Sequence, residues 1–344
     1  MNKSTYTEPV RLYWGENYAS KPLTAIQAIS ATFQALQTDI HLYPGDWQEK
    51  TLNAISIAYN WPKNQILISN GIEGLLTHIF NTYVKNGDMI ATLNPTFGAY
   101  EQNARIIGAT CFSIPIKLDT QLSANSIIKQ IPSNTTQIFL AMPNTMTGVY
   151  HISIFEIEKL AKAFSGLIII DECYFGIGNV TVISLIHTYP NILVLRSASK
   201  SLGLAGLRIG WAMGTKDVIN RLSKYSISVA PDPLPTISYA TLSAILPFNI
   251  EICESFISFR NIFSSKLSQI NGVTVHKTET TLIPITLPKQ KMIAQTIHEL
   301  ENIGILLKNT SNLDYLLFGV PPKSKWDHVL SNFRKIIENQ LKYL

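Results

Sequence analysis

"RSASKSLGLAGLRIGW", residues 196–211, decides how the rest of the chain is read. It follows the apolar run "NILVL" (191–195), which reads as a buried strand. At the strand's end stand Ser197, Ser199 and Lys200, then a Gly-rich turn, then Arg208 eight residues past the lysine. Only 15% of the chain is charged. A lysine and an arginine framing hydroxyls and glycines there offer an anion site around a primary amine. The ordinary alternative is a solvated loop, and the surroundings have to decide between them.

Outward from this stretch, residues 64–214 alternate short apolar runs with helix-like spacing. The runs are "QILIS" (65–69), "DMIATL" (88–93), "QIFLAM" (137–142), "GLIIID" (166–171), "NILVL" and "IGWAM" (209–213). Continuous apolar runs bounded by turn signals predict strands buried on both faces, hence a mostly parallel sheet covered by helices. "EGLLTHIFNTYV" and "FEIEKLAKAF" supply helices between them. After residue 230 the texture changes to long helices and shorter strand-like pieces such as "GVTVHK", "LIPITL" and "YLLFGV". The predicted fold class is α/β. An N-terminal arm and helix occupies 1–40, a large domain 41–240 and a smaller α+β domain 241–344.

Composition narrows the function classes. The chain of 344 residues is 46% hydrophobic, with mean hydropathy +0.14, enough for a well-filled core. Lys and Arg number 28 against 23 Asp and Glu, scattered rather than clustered, so no nucleic-acid or membrane partner is expected. Cys111, Cys173 and Cys253 are too few and too far apart for a disulfide framework or a metal site. They read as reduced thiols of a cytoplasmic protein. "MNKSTYTEPVRLYWGEN" lacks the apolar core of a leader peptide.

In an open parallel sheet ligands bind beyond the carboxyl ends of the strands. "QILIS" runs into Asn70-Gly71-Ile72 and a helix start, whose free N–H groups can hold a phosphate. "DMIATL" runs into Asn94-Pro95-Thr96-Phe97, an aromatic ring at the mouth, and "QIFLAM" into Pro143-Asn144-Thr145. "GLIIID" delivers Asp171, with Tyr174 three residues on. Singly these are turn formers, a core ring, a helix cap and a surface amine. Together they gather a phosphate cradle, an aromatic face, a carboxylate and a lysine at one edge.

That combination resembles the fold-type I pyridoxal-phosphate enzymes. The resemblance is to class I/II aminotransferases of the histidinol-phosphate aminotransferase type, with the related threonine-phosphate decarboxylases. It runs nearly end to end, through "RLYWGENYASKP", "HLYPGDWQEK", "NGIEGLL", "NPTFGAY", "IIIDECYFG" and "SASKSLGLAGLRIGW". It implies pyridoxal 5′-phosphate as cofactor, held by Lys200 as a Schiff base. Asp171 would pair with the ring nitrogen, Phe97 stack on the ring and Tyr174 bond its phenolic oxygen. Gly71, Ile72, Ser197, Ser199 and Arg208 would bind the phosphate. Tyr43 would reach the neighbouring subunit's site, giving a homodimer. Substrates would be a small-molecule amine and a 2-oxo acid.

Three departures stand out. The usual Asn-Asn-Pro-Thr-Gly is Asn144-Thr145-Met146-Thr147-Gly148, leaving either Asn144 or Thr145 to contact the cofactor. The Ser-Asp-Glu of the phosphate loop is Ile72-Glu73-Gly74. The arginine that grips the substrate α-carboxylate in the family is replaced near Tyr315, and no arginine lies between Arg260 and Arg334. Arg11, Lys323 and Lys325 are the candidate replacements. The first reading is a transaminase acting on an amino acid or amino alcohol. The alternatives are a decarboxylase or other lyase on the same scaffold, or a cofactor-binding protein with a degenerate substrate site.

Overall fold

The computed structural model describes residues 9–37, 41–229 and 233–343. Its strands, in chain order, are β1 (Val10–Arg11), β2 (Ile66–Ser69), β3 (Met89–Asn94), β4 (Thr110–Pro115), β5 (Thr135–Ala141) and β6 (Leu167–Asp171). There follow β7 (Ile192–Ser197), β8 (Gly210–Met213), β9 (Thr274–Val275), β10 (Leu282–Thr286), β11 (Ile305–Leu306) and β12 (Leu316–Gly319). Seven form one sheet in the order β2-β8-β7-β6-β5-β3-β4. The pairs β7/β6, β6/β5, β5/β3 and β3/β4 are parallel, while β8 runs antiparallel to β7 and β2. All six apolar runs are strands of this sheet.

The reason lies in which residues each face buries. Ile138, Leu140, Ile168, Ile170, Ile192 and Val194 point into one core, with Ala25, Ile55, Ile157 and Leu242 from the covering helices. Phe139, Ile169, Leu193 and Leu195 point the other way, against Leu75, Ile79, Tyr100 and Leu222. The middle positions of the central strands are therefore apolar on both faces, and each such side chain contributes about 1.5–3 kcal/mol on burial. The edge strand β4 is mostly half-buried, and its sequence "TCFSIP" carries no continuous apolar run. Sequence reading passes over it for that reason.

A second core is built on the antiparallel sheet β12-β10-β9 and the helices Asn249–Leu267, Lys291–Asn302 and Trp326–Leu341. It also takes Val10 and Leu12, because β1 pairs in parallel with β11. Residue 241 lies inside the helix Thr236–Ile245, which packs on Leu23–Leu36 and Asp46–Tyr59. The change of core comes later, within Asn249–Leu267: Ile252 belongs to the first core and Phe256 to the second. The stretch Thr236–Leu267 is long and apolar enough to cross a bilayer by composition. It is broken at Leu246–Phe248; the first half sends side chains into the first core, and the second half passes from the first core to the second.

Candidate active site

Asp171 is the last residue of β6 and is 2% exposed. Its Oδ2 accepts a hydrogen bond from the Tyr100 hydroxyl at 2.8 Å, and its Oδ1 accepts from the Cys173 backbone N–H at 3.0 Å. Burial pushes its pKa up, and those two bonds pull it back. The next residue, Glu172, is ion-paired with Arg196 of β7 at 2.9 Å, both side chains buried. The Arg196 guanidinium lies over the rings of Phe175 (3.7 Å) and Tyr59 (4.7 Å). The ends of β6 and β7 are thereby fixed to each other.

One residue beyond Arg196, the Ser197 hydroxyl oxygen accepts the Ser199 N–H at 3.1 Å and turns the chain toward Lys200. The Lys200 amine donates to the Trp14 carbonyl. Its pKa is lowered chiefly by burial, and the nearby charges of Lys308 and Arg208 lower it further. Asn17 holds the lysine's backbone from the N-terminal arm, its Nδ2 donating to the carbonyls of Lys200 (3.2 Å) and Ser201 (3.1 Å).

The phosphate loop lies between β2 and the helix Gly71–Tyr83, whose Asn70 N-cap makes no side-chain capping bond. The first-turn N–H groups at Gly71 and Ile72 therefore lack a side-chain cap. Gly71 has φ +81°, and a Cβ there would come within 3.1 Å of the Arg208 Nη2. Arg208 itself sits at φ +51° and pairs with Glu73 at 2.6 Å, both half-exposed or more.

Around this floor stand the remaining expected residues. Phe97 meets Tyr100 edge-on, ring centroids 5.6 Å apart. Tyr174 is buried, and burial holds its pKa far above the ordinary tyrosine range, so it keeps its proton. Its hydroxyl faces those of Thr145 and Thr281. Asn144 spends its side chain on its own turn: Nδ2 donates to Pro95 O, and Oδ1 accepts the N–H groups of Met146 and Thr147. That leaves Thr145 as the residue of this turn facing Tyr174. Tyr43 is 90% exposed, away from this cluster.

The sequence profile described as "Aminotransferase class I and II" matches residues 9–310. The chain belongs to the class I and II aminotransferases. It is 30% identical over 292 residues to a histidinol-phosphate aminotransferase of Blochmanniella floridana, covering 82% of this chain and 80% of the relative. A second such relative, from Thermoanaerobacter pseudethanolicus, is 26% identical over 284 residues, 81% of this chain and 78% of that one. Among solved structures, the histidinol-phosphate aminotransferase of Sinorhizobium meliloti in complex with pyridoxal-5′-phosphate superposes with a TM-score of 0.85 at 18% identity. That match covers 97% of this chain and 92% of the other. The L-threonine-O-3-phosphate decarboxylase of Porphyromonas gingivalis gives 0.74 at 19% identity, covering 97% and 99%. The chain is thus a transaminase using pyridoxal 5′-phosphate, an α/β protein of fold type I.

The site fits that cofactor in its own right. A free amine, a buried carboxylate and a glycine cradle beside a guanidinium match an aldehyde, a ring nitrogen and a phosphate. The substrate side differs from the sequence expectation. Arg11 is ion-paired with Glu16 at 3.7 Å and lies over the Trp14 ring. Lys323 and Lys325 stand on the exposed turn before the last helix. The cations whose charge acts on Lys200 are Lys308, two residues past β11 and with its own pKa lowered by burial, and Arg208. Sequence reasoning missed Lys308, Tyr100 and Asn17. A lysine after a two-residue strand carries no local signal, and Tyr100 looks like any helix-face aromatic.

Proposed function

We propose that Lys200 binds the cofactor covalently, that Asp171 holds its ring nitrogen protonated, and that Lys308 receives an anionic group of the amine donor. The cofactor, when bound, supplies an aldehyde for the amine and a ring that withdraws electrons from the substrate. The chain's own part is positional. The lowered pKa of Lys200 favours the neutral amine that can attack a carbonyl and later carry a proton. Phe97 covers one ring face, and Tyr174, kept protonated, donates to the phenolic oxygen with Thr145 beside it. Gly71, Ile72, Ser197, Ser199 and Arg208 hold the phosphate, Arg208 exchanging Glu73 for it.

The observation that carries the substrate reading is a pair of replacements. Where the family has its carboxylate-binding arginine this chain has the neutral Tyr315, buried at 2% exposure with no partner for its hydroxyl. Lys308 offers instead a partly desolvated cation whose charge acts on the Lys200 amine. A phosphorylated amino alcohol, the substrate type named in the relatives' descriptions, needs a cation and no carboxylate clamp. In single-turnover bleaching of the holoenzyme, histidinol phosphate should react at least ten times faster than glutamate at equal concentration. Reaction with glutamate as fast as with histidinol phosphate overturns this reading. The decarboxylase alternative is favoured by the fold likeness to the threonine-phosphate enzyme. Release of carbon dioxide from threonine phosphate, without ring amination, decides for it.

The active form we propose is a cytoplasmic homodimer with shared sites. Tyr43 and Leu42 are exposed at 90% and 56%, and the helix Leu23–Leu36 leaves Leu23, Ile26 and Phe33 exposed. All three cysteines are free. Sedimentation of the holoenzyme as a monomer refutes the dimer. We further propose the division into a cofactor domain and a smaller C-terminal domain.

A further inference from the structure

The structure assigns Tyr100 as the positioning residue of this site: its hydroxyl fixes the charge and plane of Asp171 while its ring props Phe97. Tyr100 is fully buried in the first turn of the helix Ala99–Ile107. Phe97 lies just before that helix, two residues ahead of its first residue, Ala99. Its ring is wedged between Phe97 (5.6 Å, near perpendicular) and Phe139 of β5 (5.5 Å), and Phe139 stacks on Phe80 (5.0 Å). A phenol held on both sides cannot swing away, so its O–H stays on the Asp171 Oδ2 at 2.8 Å. The other oxygen is held by the Cys173 N–H. With one donor on each oxygen the carboxylate cannot rotate, and both bonds favour its ionised form against burial.

The groups facing Asp171 are Tyr100, Cys173, Glu172 and Tyr174. Burial keeps Cys173 and Tyr174 protonated, and Glu172 is neutralised by Arg196. Among the described residues, the Tyr100 hydroxyl, with the Cys173 N–H and thiol, lowers the pH at which Asp171 ionises, and Tyr100 contributes the most of these. This inference rests on the reading that Asp171 meets the ring nitrogen, and the two can fail separately.

The test is Tyr100→Phe, which keeps the ring and removes the donor, studied as holoenzyme. The variant should retain cofactor and its borohydride-fixable lysine link. The acid limb of its kcat profile should move up by about one pH unit. At neutral pH kcat should fall roughly tenfold, with KM for the donor little changed. The ¹⁵N resonance of a ring-labelled cofactor should titrate over the same shifted range, a readout independent of turnover. Were the variant not to fold, 3-fluorotyrosine at position 100, a stronger donor, should move the limb down instead. An unchanged limb and ring-nitrogen titration in either protein overturns the assignment. Asp171→Asn separates the premises. If it loses rate while Tyr100→Phe does not, Tyr100 alone is misassigned. If it keeps the wild-type ring-nitrogen titration and rate, the Asp171 reading falls with it.

Discussion

The two sides of this site are finished to different degrees. On the cofactor side, at the ends of β6 and β7, the charged groups already have partners. Asp171 has a donor on each oxygen, and Glu172 takes Arg196, Thr181 and the Val182 N–H. On the proposed substrate side the Tyr315 hydroxyl is buried without a hydrogen-bond partner among the described residues. Lys308 is partly desolvated, and its charge acts on Lys200. A buried polar group left unpaired costs about 1–3 kcal/mol. The cofactor wall is preorganised by the protein, whereas the substrate wall is completed by what binds to it. Substrate choice can then change without disturbing the chemistry.

The largest expected effect would break the comparison on its firm side. Lys200→Ala should lose at least its proton-transfer share, about 10²–10⁴-fold in kcat, and borohydride should no longer attach cofactor to any peptide. Attachment elsewhere means the finished wall was misidentified. Arg196→Met leaves the Glu172 charge buried and unpaired, so the denaturation free energy should drop by about 3–5 kcal/mol. A stability within experimental error of wild type would show that this wall does not depend on its ion pair.

Smaller effects sharpen the other side. Lys308→Gln should raise KM for an anionic donor about 10–100-fold, as for a hydrogen bond to a charged group, and leave neutral amines unaffected. Because burial lowers the Lys308 pKa, the cation is present below that value and lost above it. KM for the anionic donor should rise at high pH, at a lower pH than an exposed lysine would give. A flat KM profile from neutral pH up to 10 contradicts the role. Tyr315→Phe removes an unpaired hydroxyl, so stability should hold or rise by up to about 1 kcal/mol while donor selectivity changes. Destabilisation would mean that the hydroxyl has a partner after all.

The sheet was legible because β5, β6 and β7 each carry an unbroken apolar run of four residues, a pattern that double-sided burial imposes. The anchor residues were legible because strand ends are where such a sheet binds ligands. What the sequence hides is juxtaposition across the chain. Lys308 acts on Lys200 from just past β11, which pairs with β1 in a two-residue ladder that has no pattern of its own. Which of Asn144 and Thr145 has its side chain consumed by the turn is likewise something that spacing cannot reveal.

The N-terminal arm carries a consequence for synthesis. Leu12 gives its N–H to Leu306 and accepts that of Gly319, while Asn17 grips the carbonyl of Lys200, 183 positions further along. The arm thus finds its partners roughly 180 to 310 positions further along. Loop closure over such spans is slow and entropically costly. The seven-stranded sheet is complete by β8, whereas the arm's own ladder partners, Leu306 and Gly319, follow about a hundred residues later. During synthesis the lysine's clamp therefore gains its support after the cofactor-binding sheet has emerged.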